Sequence, residues 1–444
     1  MELFVHRLEK HFTNDDDFFV LNDYLAGKPV VFIGFDSLVD MVRTKHSLQT
    51  YAQTLKVTGV NEFKTVLGHV VDIDHMEEAL SAIIEGKLII YFDNDASYVI
   101  MNPTSQELDR AVETPINENV LQGTITSFTD NININIGILR KQVHTDKIRV
   151  RTYTVGSRET TQIHLIYYEG RADMNLVRKI KKQIEKNKDQ QIDNLQQLSS
   201  KLMGFRSLNM IANYNQTELP QEAANFLRQG RAILFIDRLP LAIVLPNLLW
   251  DVFILDSDKN FPLPIMIFQR LLRVIGVLLT LVLPGMYVAL VSVNPEVLRI
   301  ELALSIAQTR EGIPYPALVE IIIMLIILEL IIEASIRLPK NIGPTITMVG
   351  GIILGQAVVQ AKLVSNLLII ILAGTTIANS TIVGLQQSFA LRISKYVIVI
   401  LASIYGIFGI MAGLVLVFAY LSGLSTFGIP YTGFMRIKEE VSNG

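Results

Sequence analysis

Three glutamates lie inside one apolar stretch of the chain and are its most informative residues. Glu320, Glu329 and Glu333 all fall within residues 316–336, a run otherwise rich in Ile and Leu. A carboxylate at the depth of a lipid bilayer costs several kcal/mol unless it faces protein, water or a counter-ion. A plain membrane anchor has no use for such groups. The sequence therefore predicts a membrane protein that moves or senses something.

The spacing of these carboxylates predicts different roles for them. Glu329 and Glu333 are four residues apart and share a helical face, and Arg337 can reach back one turn to Glu333. The Glu333–Arg337 pair is interpreted as an ion pair near a helix end that fixes packing or holds a gate region. Glu329 lies deeper, and we expect it to set the local charge or to bind a cation. Glu320 is close to the other end of the run, where lipid headgroups lie.

Small and polar residues mark the next apolar run. Gly351 and Gly355 form a GxxxG step, and Thr347 and Gln356 add small or polar groups beside it. GxxxG most often indicates close helix packing. In a ring of identical subunits the same narrow helix can line a pore, because small side chains leave room for water and ions. Both interpretations stay open, since they can apply to different faces.

A segment between the first two apolar runs is neither apolar enough to cross a bilayer nor polar enough to stay free of it. Residues 295–311 predict an interfacial helix with one apolar face, and a Gly and a Pro then stop it. The turn that follows is predicted to couple the motion of its two neighbouring spans. This coupling elbow consists of Arg310, Glu311, Gly312, Pro314 and Pro316.

The apolar runs themselves predict a helical membrane domain over residues 263–431, followed by a tail, 432–444. About 20 helical residues cross the hydrocarbon core, and only helices satisfy the backbone there in a chain of this pattern. Arg392 and Lys395 are counted with the positive charges that flank the last span on the cytoplasmic side. Four or five spans qualify, and the candidates are 271–293, 316–336, 342–359, 363–385 and 396–421. Five spans would place the two ends of the domain on opposite sides of the membrane.

The first half of the chain predicts an α/β domain, residues 1–262, made of two related lobes. Residues 78–101 and 222–245 align without a gap at a shift of 144 positions, and each predicts helix, glycine, strand, turn, strand. We interpret this as an internal duplication with lobes at about 1–140 and 141–262, although generic α/β units also look alike. The fold class is thus a two-lobed α/β soluble domain plus an all-α multi-span transmembrane domain.

Other segments of this half give local predictions. Residues 149–156 and 162–170 indicate strands, and 173–188 indicate an amphipathic helix whose basic face is solvated or touches lipid headgroups. The alternation in 131–138 predicts a half-buried strand, with a helix as the alternative. The acidic run 15–17 is interpreted as a solvated loop or helix start.

Composition and motifs exclude several function classes. The chain has no cysteine and a net charge of −3, which excludes disulfides, thiolate zinc sites and a basic nucleic-acid surface. Phosphate-binding loops, nucleophile elbows and zinc-protease motifs are absent from the sequence. We therefore predict no enzyme, no cofactor and no metal, and we read the His69–His75 cluster as a solvated loop. No signal-peptide pattern opens the chain, so the first domain is expected to be cytoplasmic.

Several strings, in order, resemble the A-subunit family of spore germinant receptors (GerA type). The similar segments are ALSIAQTREGIPYPALVE (303–320), EASIRLPKNIGPTITMVGGIILGQAVVQAKLVS (333–365), LSTFGIPY (424–431), RVRTYTVGSRETTQIHLIYYEGRADMNLV (149–177) and LRQGRAILFIDRLPLAIVLP (227–246). The resemblance implies an integral protein of the inner spore membrane that triggers germination. It also implies two partners, a transporter-like B subunit and a lipoprotein C subunit, and an oligomeric ring that conducts ions when nutrients bind.

Two other functions fit the same sequence features. An ion-coupled secondary transporter would also use broken helices and a buried carboxylate, although the membrane half shows no inverted repeat. A scaffold subunit that conducts nothing is the third possibility. Departures at 112–139 and at Ser380-Thr381 from the segments expected of the family leave the subtype open.

Overall fold

The structure is a computed structural model, and it folds into two units. Residues 2–25, 27–54, 60–92, 95–104, 126–338 and 343–433 are described. The first, the α/β unit, comprises Met1–Asn247, Ser425–Ile429 and Gly433–Gly444, and the second, the helical unit, comprises Leu248–Leu424 and Pro430–Thr432.

The first lobe of the α/β unit is an antiparallel sheet with helices packed on it. β4 has the sequence LIIYF and is buried along its whole length, because helices cover both of its faces. The sheet order is β1-β2-β4-β5-β3. The elements are α1 (Glu2–His11), β1 (Phe18–Leu25), β2 (Lys28–Phe35), α2 (Met41–Thr54), α3 (Val60–Leu67), β3 (His69–Asp72), α4 (Met76–Ile84), β4 (Leu88–Phe92) and β5 (Ser97–Met101).

The second lobe repeats this arrangement. Its sheet order is β6-β7-β9-β10-β8, the same path as in the first lobe. The strands and the amphipathic helix predicted from the sequence are β6, β7 and α6. The elements are α5 (Ile132–Val143), β6 (Ile148–Val155), β7 (Thr161–Tyr168), α6 (Met174–Lys186), a single turn α7 (Leu195–Gln197), β8 (Asn215–Thr217), α8 (Pro220–Arg228), β9 (Ala232–Ile236) and β10 (Ala242–Leu245).

Strand register matches between the lobes at the shift found in the sequence. In the first lobe Leu88 pairs with Met101, and in the second lobe Ala232 pairs with Leu245, 144 positions later at both partners. A one-residue slip would turn every side chain to the opposite face. A common register therefore supports the duplication that the sequence predicts.

The strand predicted at residues 131–138 is wrong, because this segment is the first part of helix α5. The side chain of Asn131 accepts hydrogen bonds from the backbone of the first turn and so begins the helix. Ile132, Ile136 and Leu139 recur at helical spacing and are buried in the second lobe. Asn135 is also buried, and its amide is bound to Thr129. The polar alternation thus belongs to a capped helix with one internal amide.

The acidic run at residues 15–17 joins the two lobes, so its interpretation as a solvated loop is wrong. The side chain of Asp15 is fully buried and accepts two hydrogen bonds from Arg140 of α5, at 2.7 and 2.8 Å. Asp17 accepts a third from the same guanidinium, at 2.7 Å. Burial raises the pKa of Asp15 above its usual value, against the lowering effect of Arg140. The lobes are therefore held by a buried, charged contact.

The helical unit contains the apolar half of the chain. Two helices, 263–293 and 386–423, are long and apolar enough to cross a membrane. The predicted interfacial helix begins at Ile300, after a short turn, instead of at residue 295. The helices are α9 (Leu263–Val288, extended by one wider turn to Val293), α10 (Ile300–Thr309), α11 (Ala317–Arg337), α12 (Gly343–Gln360), α13 (Asn366–Asn379) and α14 (Leu385–Gly423).

α14 is not one rod, because it reverses direction at Gly406. This residue has φ 60° and ψ −134°, a combination open to glycine. A Cβ placed on Gly413 would lie 3.1 Å from the Cα of Ile398, although residues this far apart on a straight helix are separated by about 22 Å. The single span predicted at 396–421 is therefore wrong. The segment is a hairpin of two packed helical arms.

Chain entry and exit lie at one end of the helical unit. Leu249 donates its N–H to the carbonyl of Tyr431 at 2.9 Å, and Tyr431 donates to the carbonyl of Leu424, just past α14, at 2.9 Å.

A bidentate ion pair joins α9 to the segment before it. Arg273 of α9 donates two hydrogen bonds, both 2.7 Å, to the carboxylate of buried Asp258. Burial acts to raise the pKa of Asp258, but the hydrogen bonds and charge of Arg273 prevail and hold it below its usual value.

Candidate functional site

α11 carries two carboxylates, one buried and one partly buried, that face different neighbours. Glu320 and Glu329 are nine residues apart, about two and a half helical turns, so their side chains leave opposite sides of the helix. Each meets its own set of polar groups from helices distant in sequence. We refer to these sets as the Glu320 cluster and the Glu329 cluster.

The Glu320 cluster joins three helices. Glu320 is fully buried, so it does not lie among headgroups as the sequence suggested. Its carboxylate accepts a hydrogen bond from the hydroxyl of Tyr287 in α9 at 3.1 Å and another from the backbone N–H of Ser365 at 2.5 Å. Ser365 is the residue that caps α13, since its hydroxyl accepts from the N–H of Leu368. The carboxylate thus fixes the start of α11 against α9 and α13.

The predicted coupling elbow reaches the same carboxylate. The Nε of Arg310 lies 3.4 Å from the second oxygen of Glu320, and another guanidinium nitrogen donates to the carbonyl of Tyr315 at 3.1 Å. Gly312 has φ +85°, a backbone conformation that glycine adopts easily because it has no Cβ, and this permits the tight turn. Pro316 caps α11, while Glu311 and Pro314 are exposed. A charge therefore links the end of α10 to the interior of the unit.

The Glu329 cluster is a carboxylate held by two cations. Arg392 of α14 forms a close ion pair with Glu329, and Lys395, one turn later, donates to the other oxygen at 3.1 Å. Both basic side chains are more than nine-tenths buried, whereas the side chain of Glu329 is 25% exposed. The cluster carries one excess positive charge. Because two protein cations contact its oxygens, the arrangement favours the expectation that Glu329 sets the local charge over the expectation that it binds a cation.

Assignment of Arg392 and Lys395 to a flank of the last span is also corrected. Both lie within the first arm of α14 and face the interior of the unit. Beside them is a cavity of about 10 Å³, room for about one water. The side-chain oxygen of Asn379, which lines it, has no protein partner among the described residues. A single bound water fits this cavity, but a substrate does not.

The Glu333–Arg337 pair forms as the spacing predicted, but it is exposed. The Nη2 and Nε atoms of Arg337 lie 2.7 and 2.9 Å from one oxygen of Glu333. The two side chains are 49% and 77% exposed. An exposed pair of this kind contributes little to stability. Any role of the pair in a gate remains a prediction.

Gly351 and Gly355 do not mediate helix packing within the described part of the chain. A Cβ added to either residue would meet nothing within 4 Å. Gln356 beside them is exposed, and the side chain of Thr347, one turn before Gly351, lies outside the described residues. The GxxxG surface of α12 is therefore not covered by any of the residues that the structure describes.

Close packing occurs instead at two glycines of α9. A Cβ on Gly276 would lie 2.2 Å from the hydroxyl of Thr381 and 2.9 Å from the carbonyl of Ala378. A Cβ on Gly285 would lie 3.1 Å from Ile398 in the first arm of α14. Contacts this short leave no room for a side chain. α9 is thus the helix against which α13 and α14 pack.

Asn294 closes the reversal in α14. Its side-chain oxygen accepts a hydrogen bond from the N–H of Ile407 at 3.1 Å, the group left free where the helix breaks at Gly406. Its amide nitrogen donates to Glu296 at 2.8 Å. The tip of the hairpin therefore lies beside the end of α9, opposite the end where the chain enters.

Sequence reasoning missed the partners of both carboxylates. Arg392 and Lys395 are three residues apart, hence on one helical face, and this spacing inside an apolar run was the available signal. Tyr287 and Ser365 gave no comparable signal, since Tyr and Ser are ordinary residues near a membrane surface. Gly406 is one of several glycines in α14, and nothing local distinguishes it.

Comparisons with known proteins found sequence similarity over most of the chain. The profile of one family, described as Bacillus/Clostridium GerA spore germination protein, matches residues 6–440. The chain is 32% identical over 82% of its length to the uncharacterized membrane protein YfkQ of Bacillus subtilis, of which 71% is covered. It is 31% identical over 80% of its length to spore germination protein GerLA of Bacillus cereus, of which 72% is covered.

One solved structure is similar to the first half of the chain. It is the N-terminal domain of the A subunit of the Bacillus megaterium spore germinant receptor GerK3. The match has a TM-score of 0.39 and 17% identity, and it covers 54% of this chain and 92% of that domain.

Proposed function

Because the chain belongs to the GerA family of spore germination proteins, we propose that it is a membrane subunit of a nutrient germinant receptor in endospores. The observation that carries this proposal is the family match over nearly the whole chain, residues 6–440. A membrane location agrees with the two long apolar helices. The inner spore membrane is the location we propose, with the α/β unit on the core side.

We propose that the helical unit conducts ions as a ring of identical subunits. Support comes from α12, where Gly351 and Gly355 present a narrow surface. Among the described residues nothing lies within 4 Å of a Cβ placed on either glycine. In a ring, that surface meets a neighbouring copy or lines a watery path, because small side chains leave space for either. The partners that we propose are a transporter-like B subunit and a lipoprotein C subunit.

The charged clusters have supporting roles in this mechanism. The Glu320 cluster ties the elbow at Arg310 to α9, α11 and α13, so a shift of α10 changes the contacts of a buried carboxylate. Buried ionic contacts are suited to two discrete arrangements, because intermediate positions leave a charge unpaired. The Glu329 cluster locks α11 to α14 and binds no permeating ion.

The helical unit supports an even number of crossings. Its entry and exit share one end, near Leu249 and Leu424, and the hairpin tip at Gly406 lies at the other. We propose six membrane-depth segments, namely α9, α11, α12, α13 and the two arms of α14. We propose this number in place of the four or five spans considered from the sequence, and with it both ends of the unit lie on one side of the membrane.

Two observations disfavour the transporter alternative. The cavity beside Glu329 holds about one water, and both oxygens of that carboxylate are bound by cations. The break at Gly406 is satisfied by Asn294, so its backbone is not free to bind a substrate or an ion. A scaffold without conduction remains the main rival, and electrical recording separates the two.

The test compares two glycines with equal space around them. Gly355→Leu should abolish conduction or assembly, while Gly374→Leu in α13, where an added Cβ also meets nothing within 4 Å, serves as the matched control. Planar-bilayer recording of purified protein and the germination of spores carrying each variant provide the readouts. Wild-type protein without current would support the scaffold function. An unaltered response of the Gly355 variant would contradict the role of α12.

A further inference from the structure

A short hairpin that follows α14 anchors the chain in the second lobe. It consists of β11 (Ser425–Thr426) and β12 (Ile429–Pro430). Thr426 is buried, and its hydroxyl donates to the carbonyl of Asn213 at 3.1 Å. The ring of Phe427 lies 5.2 Å from that of Phe205, and its carbonyl accepts a hydrogen bond from Lys179 of α6 at 2.6 Å.

The hairpin is joined to α14 by a short stretch of chain. Phe427 is four residues beyond Gly423, the last residue of α14, so the chain between them spans at most about 14 Å. Lys179 is bound directly to Phe427. If α14 ends at a bilayer surface, the groups around Lys179 lie within reach of the headgroups.

The surface around the anchor is basic. Seven exposed cationic side chains lie on α6 and in the segment after it, against three exposed acids, Glu185, Asp189 and Asp193. α6 and this segment are held together, because the amide of Asn187 donates to the carbonyl of Leu202 at 2.9 Å. We call these residues, with Leu208 and Met210, the anchor surface. Its cations are Arg178, Lys179, Lys182, Lys186, Lys188, Lys201 and Arg206.

Two apolar side chains are exposed on the loop that lies beside the hairpin. Leu208 is 95% exposed and Met210 is 47% exposed, on the loop between Phe205 and Asn213, the two residues that hold the hairpin. Removal of a leucine side chain this exposed from water into an apolar phase is favourable. Cations around a projecting apolar tip are the combination by which a protein surface binds an anionic bilayer.

We propose that the anchor surface docks on anionic lipid headgroups of the bilayer that holds the helical unit, with Leu208 reaching the edge of the hydrocarbon. Charge complementarity, the tether at Phe427 and the apolar tip all select a lipid surface as the partner. Near an anionic surface each basic residue contributes about fivefold to the binding constant. The docking does not depend on conduction, so its test stands apart from that of the proposed function.

The experiment uses the full chain in lipid nanodiscs, and the absence of native cysteine permits single-site labelling. Leu208→Cys carries a fluorophore, and spin-labelled headgroups quench it on contact. Val42→Cys, 82% exposed in the first lobe, is the matched control. In discs containing phosphatidylglycerol, quenching should be stronger at position 208 than at position 42. It should fall in purely phosphatidylcholine discs and in about 1 M salt, where the Debye length shrinks to about 3 Å.

Charge reversal provides the second arm. Lys182→Glu with Lys186→Glu should reduce the quenching at position 208, since two attractive charges, each worth about fivefold, become repulsive. The pair Lys10→Glu with Lys141→Glu, also exposed, is the control and should leave it unchanged. Equal quenching in anionic and neutral discs, or equal quenching at positions 208 and 42, would overturn the proposal. Circular dichroism verifies that each variant is folded.

Discussion

Replacement of Glu329 by Gln tests whether the Glu329 cluster locks α11 to α14. The variant leaves Arg392 and Lys395 buried side by side with no anion between them. At the 3.1 Å separation of Lys395 and Glu329, the attraction that is lost amounts to ~5 kcal/mol at an effective dielectric constant near 20. Removal of one partner from a buried pair costs about 3–5 kcal/mol, and we expect a loss of this size in the free energy of unfolding.

Two further variants make the reasoning specific. Lys395→Met leaves Glu329 paired one to one with Arg392, so it should cost less than about 1 kcal/mol. The double variant Glu329→Gln with Lys395→Met should recover much of the loss, because one cation remains instead of two. Glu333→Gln, in the exposed pair, should change stability by about 0.5 kcal/mol at most.

Reversible unfolding in mixed detergent micelles, with increasing dodecyl sulfate, measures these differences. The order of stability should be wild type, then Glu333→Gln, the double variant and finally Glu329→Gln. The reasoning is refuted if Glu329→Gln is as stable as Glu333→Gln. It is also refuted if Lys395→Met costs as much as Glu329→Gln, because the excess positive charge would then have no influence.

Three other predictions follow from the structure. Arg140→Met leaves Asp15 and Asp17 buried without a cation, so the free energy of unfolding of the α/β unit should fall by about 3–5 kcal/mol in chemical denaturation; a change below about 1 kcal/mol would contradict the buried contact. Gly276→Val forces a side chain against Thr381 and the backbone and should cost about 1–3 kcal/mol in thermal unfolding, whereas an unchanged midpoint would show that α9 can move away. Because the pKa of Asp258 is lowered in the folded state, its contribution to stability is present above the ordinary value of 3.8 and should be lost as pH falls below 3.8 through the lowered pKa of the folded state; unfolding midpoints measured on both sides of pH 3.8 test this, and an Asp258→Asn variant with the same acid sensitivity as wild type would disprove it.

Local patterns were sufficient for many of the elements. The amphipathic spacing in α6, with Leu176, Val177, Ile180 and Ile184 buried, follows from a helical period that the residues display by themselves. The Glu333–Arg337 pair formed for the same reason, since both partners lie on one helix. By contrast, residues 131–138 alternate like a strand, and the cap at Asn131 together with packing in the second lobe decided for a helix.

By itself, the sequence determined a two-lobed α/β region, an apolar helical region with carboxylates at unusual depth, and a family resemblance. Composition and periodicity are local, and they suffice to say what must be buried. Only the tertiary structure decided which groups meet, because Lys395 and Glu329 are separated by 66 residues and the strength of their contact depends on which helix faces are packed together. The same holds for the reversal at Gly406 and for the pairing of buried Asp15 with Arg140, since each depends on a partner that no local pattern specifies.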